Sequence, residues 1–222
     1  MVDLPPIVAA GLTGFISGLV LSIPVGPVNL TIINEGTRRG FFWAAMIGLG
    51  ATVMEVTYCA IAFTGFASLF GDRLVKAAME LFSFVFMLYL GGKFLLARSV
   101  TAVSRIEERI EEKLHPHSAF AIGFVRVMGN PGVLLFWIIL AANFISREWV
   151  EPTLEGKLAC VTGVAAGTGL WFLGLSYAVS LGHKKLSETT LVRMEHLCGI
   201  ALLVLALIHG GTIIWQMAHH KI

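Results

Sequence analysis

Charged residues are scarce in this chain of 222 residues. They make up 14% of it, whereas hydrophobic residues make up 56%. Soluble domains carry about 25% charged residues, so the composition excludes an ordinary soluble fold. The few charges cluster between long uncharged runs, such as 4–34 and 158–182. Because a transmembrane helix needs about 20 apolar residues, the chain has room for about five to seven helices and for no soluble catalytic domain.

Cysteine is scarce too, and its placement excludes two kinds of site. Cys59, Cys160 and Cys198 each lie in an apolar stretch, without Cys-x-x-Cys spacing. This pattern is typical of small buried residues and not of a disulfide framework or a metal cluster. We therefore predict no metal site and no cofactor. The net charge of +2, with basic residues scattered at helix ends, also argues against a nucleic-acid partner.

The uncharged runs predict where the helices lie. No lysine or arginine precedes the first run, although a secretory signal peptide would carry one there, so we expect this run to be retained. The runs predict an all-α polytopic membrane protein, folded as a single transmembrane domain over residues 1–222. Its six predicted transmembrane helices span 6–34, 41–70, 77–97, 118–144, 157–182 and 196–218.

The connections between these spans predict the orientation. With the N-terminus outside, nine basic residues of the connections fall in the cytoplasm and five fall outside. Basic residues favour the cytoplasmic side, so we predict that both termini lie outside. The longest connection, 98–117, repeats apolar residues every three or four positions. It predicts an amphipathic cytoplasmic helix that lies on the membrane face or against the bundle, with a partner-docking helix as the alternative.

The two halves of the chain, 6–97 and 118–218, share a pattern. Residues 15–20 and 120–125 both read Phe-x-x-Gly-x-Val, and each segment is followed by a break rich in proline, glycine and asparagine. Each half would hold three helices, an odd number, so the second half would be upside down relative to the first. The sequence therefore predicts two inverted three-helix repeats, an arrangement typical of transporters.

The two breaks predict a binding site. Proline and glycine weaken a helix, and in lipid the freed backbone groups need partners, so such breaks are packed within protein or line a cavity. Two helices would restart there with their N-termini near the midplane, where an anionic group such as an amino-acid carboxylate is stabilised. Asn29 and Asn130, beside these restarts, can donate and accept hydrogen bonds. The alternative is that the breaks only bend the helices for packing.

Ionisable residues inside the uncharged runs are further candidates. A charge at this depth costs about 2.5–3.5 kcal/mol and usually faces a partner or a cavity. Glu55 could take up and release a proton, or it could form a structural pair with Arg126, whose guanidinium could instead face a substrate carboxylate. His209 could relay protons or bond to a neighbouring helix. We predict proton coupling by Glu55 and His209, and substrate binding by Pro24, Gly26, Pro27, Asn29, Arg126, Asn130, Pro131 and Gly132.

Four segments together carry a resemblance to a known family. They are Pro24-Val25-Gly26-Pro27 with Asn29, the glycine-containing stretch 40–55, the stretch 88–96 and the pair Asn130-Pro131. They resemble the first four helices of the LysE/RhtB family of amino-acid exporters. The resemblance implies a small dimeric exporter in a bacterial inner membrane, driven by the proton or another ion gradient. Gly132 and Arg126 depart from the family pattern, in which a lysine and a small or polar residue are common at these two positions.

These observations together predict a secondary transporter. It would export an amino acid or a similar small zwitterion, coupled to the proton gradient, and its partners would be the substrate, the coupling ion, the lipid bilayer and a second copy of the chain. One alternative is a divalent metal-ion transporter of a related inverted-repeat fold, although such a site needs several hard oxygen ligands. Others are a transmembrane thiol-electron carrier, which would need cysteines beside the breaks, and a non-transporting membrane scaffold.

Overall fold

The computed structural model describes residues 4–24, 26–65, 73–96, 118–181 and 188–218, and these ranges are helical without a strand. The all-α prediction is therefore confirmed for them. The predicted amphipathic helix at 98–117 lies outside the described residues. Within the described ranges the helices are α1 (Pro6–Ser22), α2 (Pro27–Arg39), α3 (Phe41–Gly65), α4 (Arg73–Leu95), α5 (Ala119–Met128), α6 (Pro131–Ser146), α7 (Leu154–Ser180) and α8 (Glu188–Ala218).

The helices fall on the six predicted spans. The first and fourth spans are each divided, into α1 with α2 and α5 with α6, whereas the other four spans hold one helix each. Within the described ranges, α3 and α7 are long and apolar enough to cross a membrane, and each divided pair meets the same test when its two helices are taken together. The number of six spans and the inversion of the second half stay predictions.

Local sequence explains why the divided helices stop and restart. Pro27 is the first residue of α2 and Pro131 the first of α6. Proline suits this position because the first turn of a helix leaves its N–H groups unpaired and the ring already has a helical φ. Gly26 and Asn130, which precede these prolines, are extended, as residues before proline prefer, so neither helix continues through its break. The chain bends by 69° between α1 and α2 and by 67° between α5 and α6.

Glycines allow the divided pairs to pack closely on the long helices of the opposite half. A Cβ atom on Gly167 of α7 would overlap the carbonyl of Phe15 in α1, and a Cβ atom on Gly50 of α3 would overlap the carbonyl of Phe120 in α5. Phe15 and Phe120 open the two Phe-x-x-Gly-x-Val segments. The α1–α7 and α3–α5 contacts are therefore built alike, with small residues bringing the backbones together as is common in membrane helices.

The helices α3 and α7 form the centre of the bundle. α3 packs against α2, α5, α6 and α7, while α4 packs mainly on α8 and also touches α6. The buried core runs along these contacts and includes Trp137, Phe63 and Phe172. Cys59, Cys160 and Cys198 are free and buried, as the sequence predicts. This packing places α3 beside both broken pairs and α4 beside α6 of the second.

Candidate functional site

A cavity of about 370 Å³ lies where the two breaks meet the neighbouring helices. Its volume is in the range of small-molecule sites, which run from about 300 to 1,000 Å³. Pro131 begins α6 beside the cavity, and His209 lies on α8 with a side chain outside those described. The lining brings together the other eight residues predicted from the sequence, which are Pro24, Gly26, Pro27, Asn29, Glu55, Arg126, Asn130 and Gly132.

The side chain of Asn29 makes hydrogen bonds to the backbone of the first break, between α1 and α2. Its Nδ2 donates to the carbonyl oxygens of Ser22, at 2.8 Å, and of Pro24, at 2.7 Å. Its Oδ1 accepts a hydrogen bond of 3.1 Å from the indole nitrogen of Trp171 on α7. The side chain is 3% exposed. Both donor hydrogens are thus used on the backbone, which leaves one lone pair of Oδ1 as the group that a substrate could contact.

Asn130 caps the helix that follows the second break. Its Oδ1 accepts a hydrogen bond of 3.0 Å from the backbone N–H of Gly132, which satisfies one of the unpaired donors in the first turn of α6. The carbonyl of Met128, at the end of α5, accepts a hydrogen bond of 2.8 Å from the hydroxyl of Tyr58 on α3. The second break is therefore held partly by a neighbouring helix.

Arg126 reaches from the second break towards the first. It lies in the last turn of α5, is half-buried, and its Nη1 is 3.4 Å from the carbonyl oxygen of Pro27, the first residue of α2. A guanidinium group has five donors in a fixed planar arrangement and suits a carboxylate. This side chain brings a positive charge to the point where both broken pairs line the cavity.

Glu55 lies on α3 at the cavity wall, and its Oε2 accepts a hydrogen bond of 2.7 Å from the indole nitrogen of Trp137. Trp137 is on α6 and fully buried. The alternative of a structural pair with Arg126 does not describe this conformation, because no ion pair joins these two described side chains. Glu55 and Arg126 thus both line the cavity but have different hydrogen-bond partners.

The prediction missed one wall of the cavity. Phe86, Tyr89, Leu90, Lys93 and Phe94 line it from α4. Their spacing of three and four residues places them on one helix face, which is a signal present in the sequence.

Two further features bear on the site. Glu195, which the prediction did not single out, is 1% exposed on α8, one turn before Cys198 of the cavity lining. Among the described residues no group of three or more histidine, cysteine, aspartate or glutamate side chains is arranged to hold a metal ion.

Comparisons with known proteins agree with the resemblance. The chain is 26% identical to the "Putative amino acid efflux protein YcgF" of Bacillus subtilis (strain 168), over 93% of this chain and 97% of that protein. It is 29% identical to the "Arginine exporter protein ArgO" of Shigella flexneri and 28% identical to that of Escherichia coli (strain K12), over 73% of this chain and 74% of each. No solved structure matches. The LysE type translocator family matches residues 19–209, which is most of the chain, and this multi-pass membrane protein therefore belongs to that family.

Proposed function

We propose that this protein is a secondary transporter that exports an amino acid or a similar small zwitterion across a bacterial plasma membrane in exchange for protons. The observation that carries the proposal is the cavity at the two breaks, whose wall includes the acid Glu55 on α3 and, in the last turn of α5, the basic residue Arg126. A free amino acid carries one carboxylate and one ammonium group, so these two residues match its two charges. The names of the relatives, an efflux protein and arginine exporters, support an amino acid as the cargo.

The substrate carboxylate would bind on the side of Arg126. A guanidinium–carboxylate contact is stronger than a neutral hydrogen bond, and it gains further when the site excludes water. The N-termini of α2 and α6, at Pro27 and Pro131, add the positive ends of two helix dipoles. Asn29 and Asn130 would hold these helix ends in place through the hydrogen bonds they make with the backbone, more than through direct contact with the cargo.

Glu55 would couple export to the proton gradient. Trp137 occupies Oε2, so Oε1 is the atom that a proton or a substrate ammonium group would use. The carboxyl group attracts the ammonium group as an anion only while it is ionised, so the proton and the ionic bond to the substrate exclude each other. An exchanger needs this exclusivity, because the substrate leaves when the proton arrives and the proton leaves when the substrate binds. Glu55 is part-buried between apolar stretches of α3, and this supports the role, since a charge at such a depth is usually kept for function.

The remaining features of the proposal concern the arrangement in the membrane. Arg38 and Arg39 end α2, and basic residues favour the cytoplasmic side, so α2 would end in the cytoplasm and both chain termini would lie outside. The two halves would be inverted repeats, as the matched glycine contacts of α1–α7 and α3–α5 support. A homodimer is proposed from the family resemblance alone.

Transport by the purified protein in proteoliposomes tests the coupling. Glu55→Gln keeps the shape of the side chain and an oxygen for Trp137, but it cannot exchange a proton. We expect proton-driven transport of an amino-acid mixture to fall to the level of liposomes without protein. Glu151→Gln, in the exposed loop before α7, is the matched control and should transport like the native protein. Full proton-driven transport by Glu55→Gln contradicts the coupling role.

Substrate binding by Arg126 needs a separate measurement. Loss of a charge-assisted hydrogen bond costs about 1.5–3 kcal/mol, so Arg126→Ala should weaken substrate affinity by about tenfold to a hundredfold. Arg126→Lys keeps the charge but not the planar fork, and it should fall between the native protein and Arg126→Ala. An unchanged affinity of Arg126→Ala, measured by competition in proteoliposomes, would return Arg126 to a structural role.

A further inference from the structure

The helix α4 contributes one wall of the cavity. Arg126 and Glu55, which would bind the carboxylate and the ammonium group of an amino acid, lie on other helices, so this wall is left to contact the substrate side chain. Its lining residues Phe86, Tyr89, Leu90 and Phe94 are aromatic or aliphatic, and Phe86 packs against Phe136 of α6 with ring centroids 5.8 Å apart. An apolar wall of this kind stabilises an apolar side chain through the area it removes from water.

The charges that line the cavity are unequal in number. Arg126 and Lys93 carry positive charges, and Glu55 is the acid among the described lining residues. If Arg126 and Glu55 bind the carboxylate and the ammonium of the substrate, the charge that remains near its side chain is the ammonium group of Lys93, which lies on the apolar α4 face and is exposed. A cationic substrate side chain would therefore meet a like charge and no acid of the lining.

We propose that the cavity selects neutral amino acids with apolar side chains, and that Lys93 is the specificity-determining residue that excludes arginine and lysine. The inference rests on the proposed function and deepens it. If it is correct, the substrate of this chain differs from that of the relatives that are named arginine exporters. Specificity of this form arises as much from a repulsive contact against the wrong substrate as from attraction to the right one.

An acidic amino acid fits the cavity less well than an apolar one. Its side-chain carboxylate would lose water against the aromatic wall, and a buried carboxylate is costly unless it is paired and fully hydrogen-bonded. Lys93 is exposed to solvent, so its attraction for that carboxylate is weakened by water, whereas Phe86 and Phe136 would still have to pack against a charged group.

Competition for transport tests the substrate class in the native protein. Proteoliposomes are loaded with a labelled amino-acid mixture, and unlabelled leucine, phenylalanine, arginine or aspartate is added as the competitor. Lys93 is exposed, so water weakens its repulsion of a bound cation to about 1 kcal/mol at a separation of about 4 Å, and leucine and phenylalanine should compete about fivefold better than arginine. Equal or better competition by arginine or aspartate overturns the inference and leaves export intact. Absence of transport of every amino acid overturns both the inference and the proposed function.

Variants of Lys93 test the residue itself. Lys93→Glu supplies an acid at the same place, and it should improve competition by arginine about tenfold relative to leucine. Lys93→Met removes the charge while keeping an unbranched apolar chain, and it should give an intermediate ratio. Lys157→Glu, at the start of α7 and outside the lining, makes the same change of net charge and should leave the ratio unchanged. An arginine-to-leucine ratio that is the same in Lys93→Glu and the native protein overturns the role of Lys93.

Discussion

The first broken pair, α1 with α2, and the second, α5 with α6, differ in the origin of the hydrogen bonds at the break. In the first pair, Asn29 of α2 binds two carbonyl groups of its own segment. In the second pair, the carbonyl of Met128 is bound by Tyr58, which belongs to α3. The two breaks bend by nearly the same angle, so the difference lies in what holds each bend and not in its shape.

The long helix α3 also carries the acid of the cavity. Glu55 and Tyr58 are three residues apart on one face of α3, and both contact the second broken pair. Tyr58 binds the end of α5, and Glu55 accepts from Trp137 of α6. The first broken pair has one matching contact, from Trp171 of α7 to Asn29. A change in the protonation of Glu55 should therefore affect the second break more directly than the first.

The close glycine contacts offer the strongest test of whether the two halves are built alike. Gly50→Ala and Gly167→Ala each place a Cβ atom against a backbone carbonyl, that of Phe120 or of Phe15. Because a backbone cannot move aside as a side chain can, we expect each variant to lose about 3 kcal/mol, near the upper end of overpacking effects. Thermal unfolding in detergent measures the loss.

Equal losses would support matched halves. Gly169→Ala is the control on the same helix as Gly167, because a Cβ atom there meets nothing within 4 Å. It should keep or gain stability, by up to about 1 kcal/mol from helix propensity. If only one of the two glycines resembles Gly169 in its response, the close packing is confined to one of the two contacts, α1–α7 or α3–α5, and the comparison of the halves fails.

The asparagines at the two breaks should differ in importance. Asn29→Ala removes two donors from buried carbonyl groups and one acceptor from Trp171, so we expect a loss of about 2 kcal/mol. Asn130→Ala removes a helix cap beside the cavity, which is worth about 1 kcal/mol. Unfolding midpoints of the two variants in the same detergent give the difference. A larger loss for Asn130→Ala would mean that the second break, not the first, depends on its own asparagine.

The sequence predicted the breaks and eight of the lining residues because these are marked by local properties of the chain. Proline, glycine and asparagine mark where a helix ends. Charges at helix ends mark the limits of the spans within about five residues, except that α8 begins at Glu188 whereas its span was predicted from residue 196. The role of Asn29 was less apparent, since the sequence shows that the side chain can bond but not to what. The carbonyl groups freed by the break are its nearest partners, and this could have been inferred from proline chemistry.

The α4 wall and the partner of Glu55 could not be predicted in the same way. The aromatic residues of α4 look alike whether they face lipid or a cavity, and the choice depends on how α4 packs on α8 and α6. Trp137 lies 82 residues after Glu55, so no local period relates them. Both features follow from contacts between distant segments, which composition and spacing do not specify.

The two tryptophan hydrogen bonds give the finest comparison between the halves. Trp137→Phe removes the donor to Glu55, and a bond to an ionisable group is worth about 1.5 kcal/mol or more when that group is charged. Trp171→Phe removes the longer bond to the neutral Asn29 and should lose about 1 kcal/mol. Both replacements keep a buried aromatic ring, so unfolding in detergent compares the bonds themselves.

Transport measurements should distinguish the roles of Trp137 and Trp171 more clearly than unfolding measurements do. If Glu55 exchanges the proton, its hydrogen bond with Trp137 affects the balance between its two protonation states, so Trp137→Phe should alter the pH at which transport is half-maximal. Trp171→Phe, whose partner does not titrate, should leave that pH unchanged and reduce only the stability. A pH profile moved equally by both variants would mean that the tryptophans act through packing. The acid on α3 would then be no more closely linked to the second break than to the first.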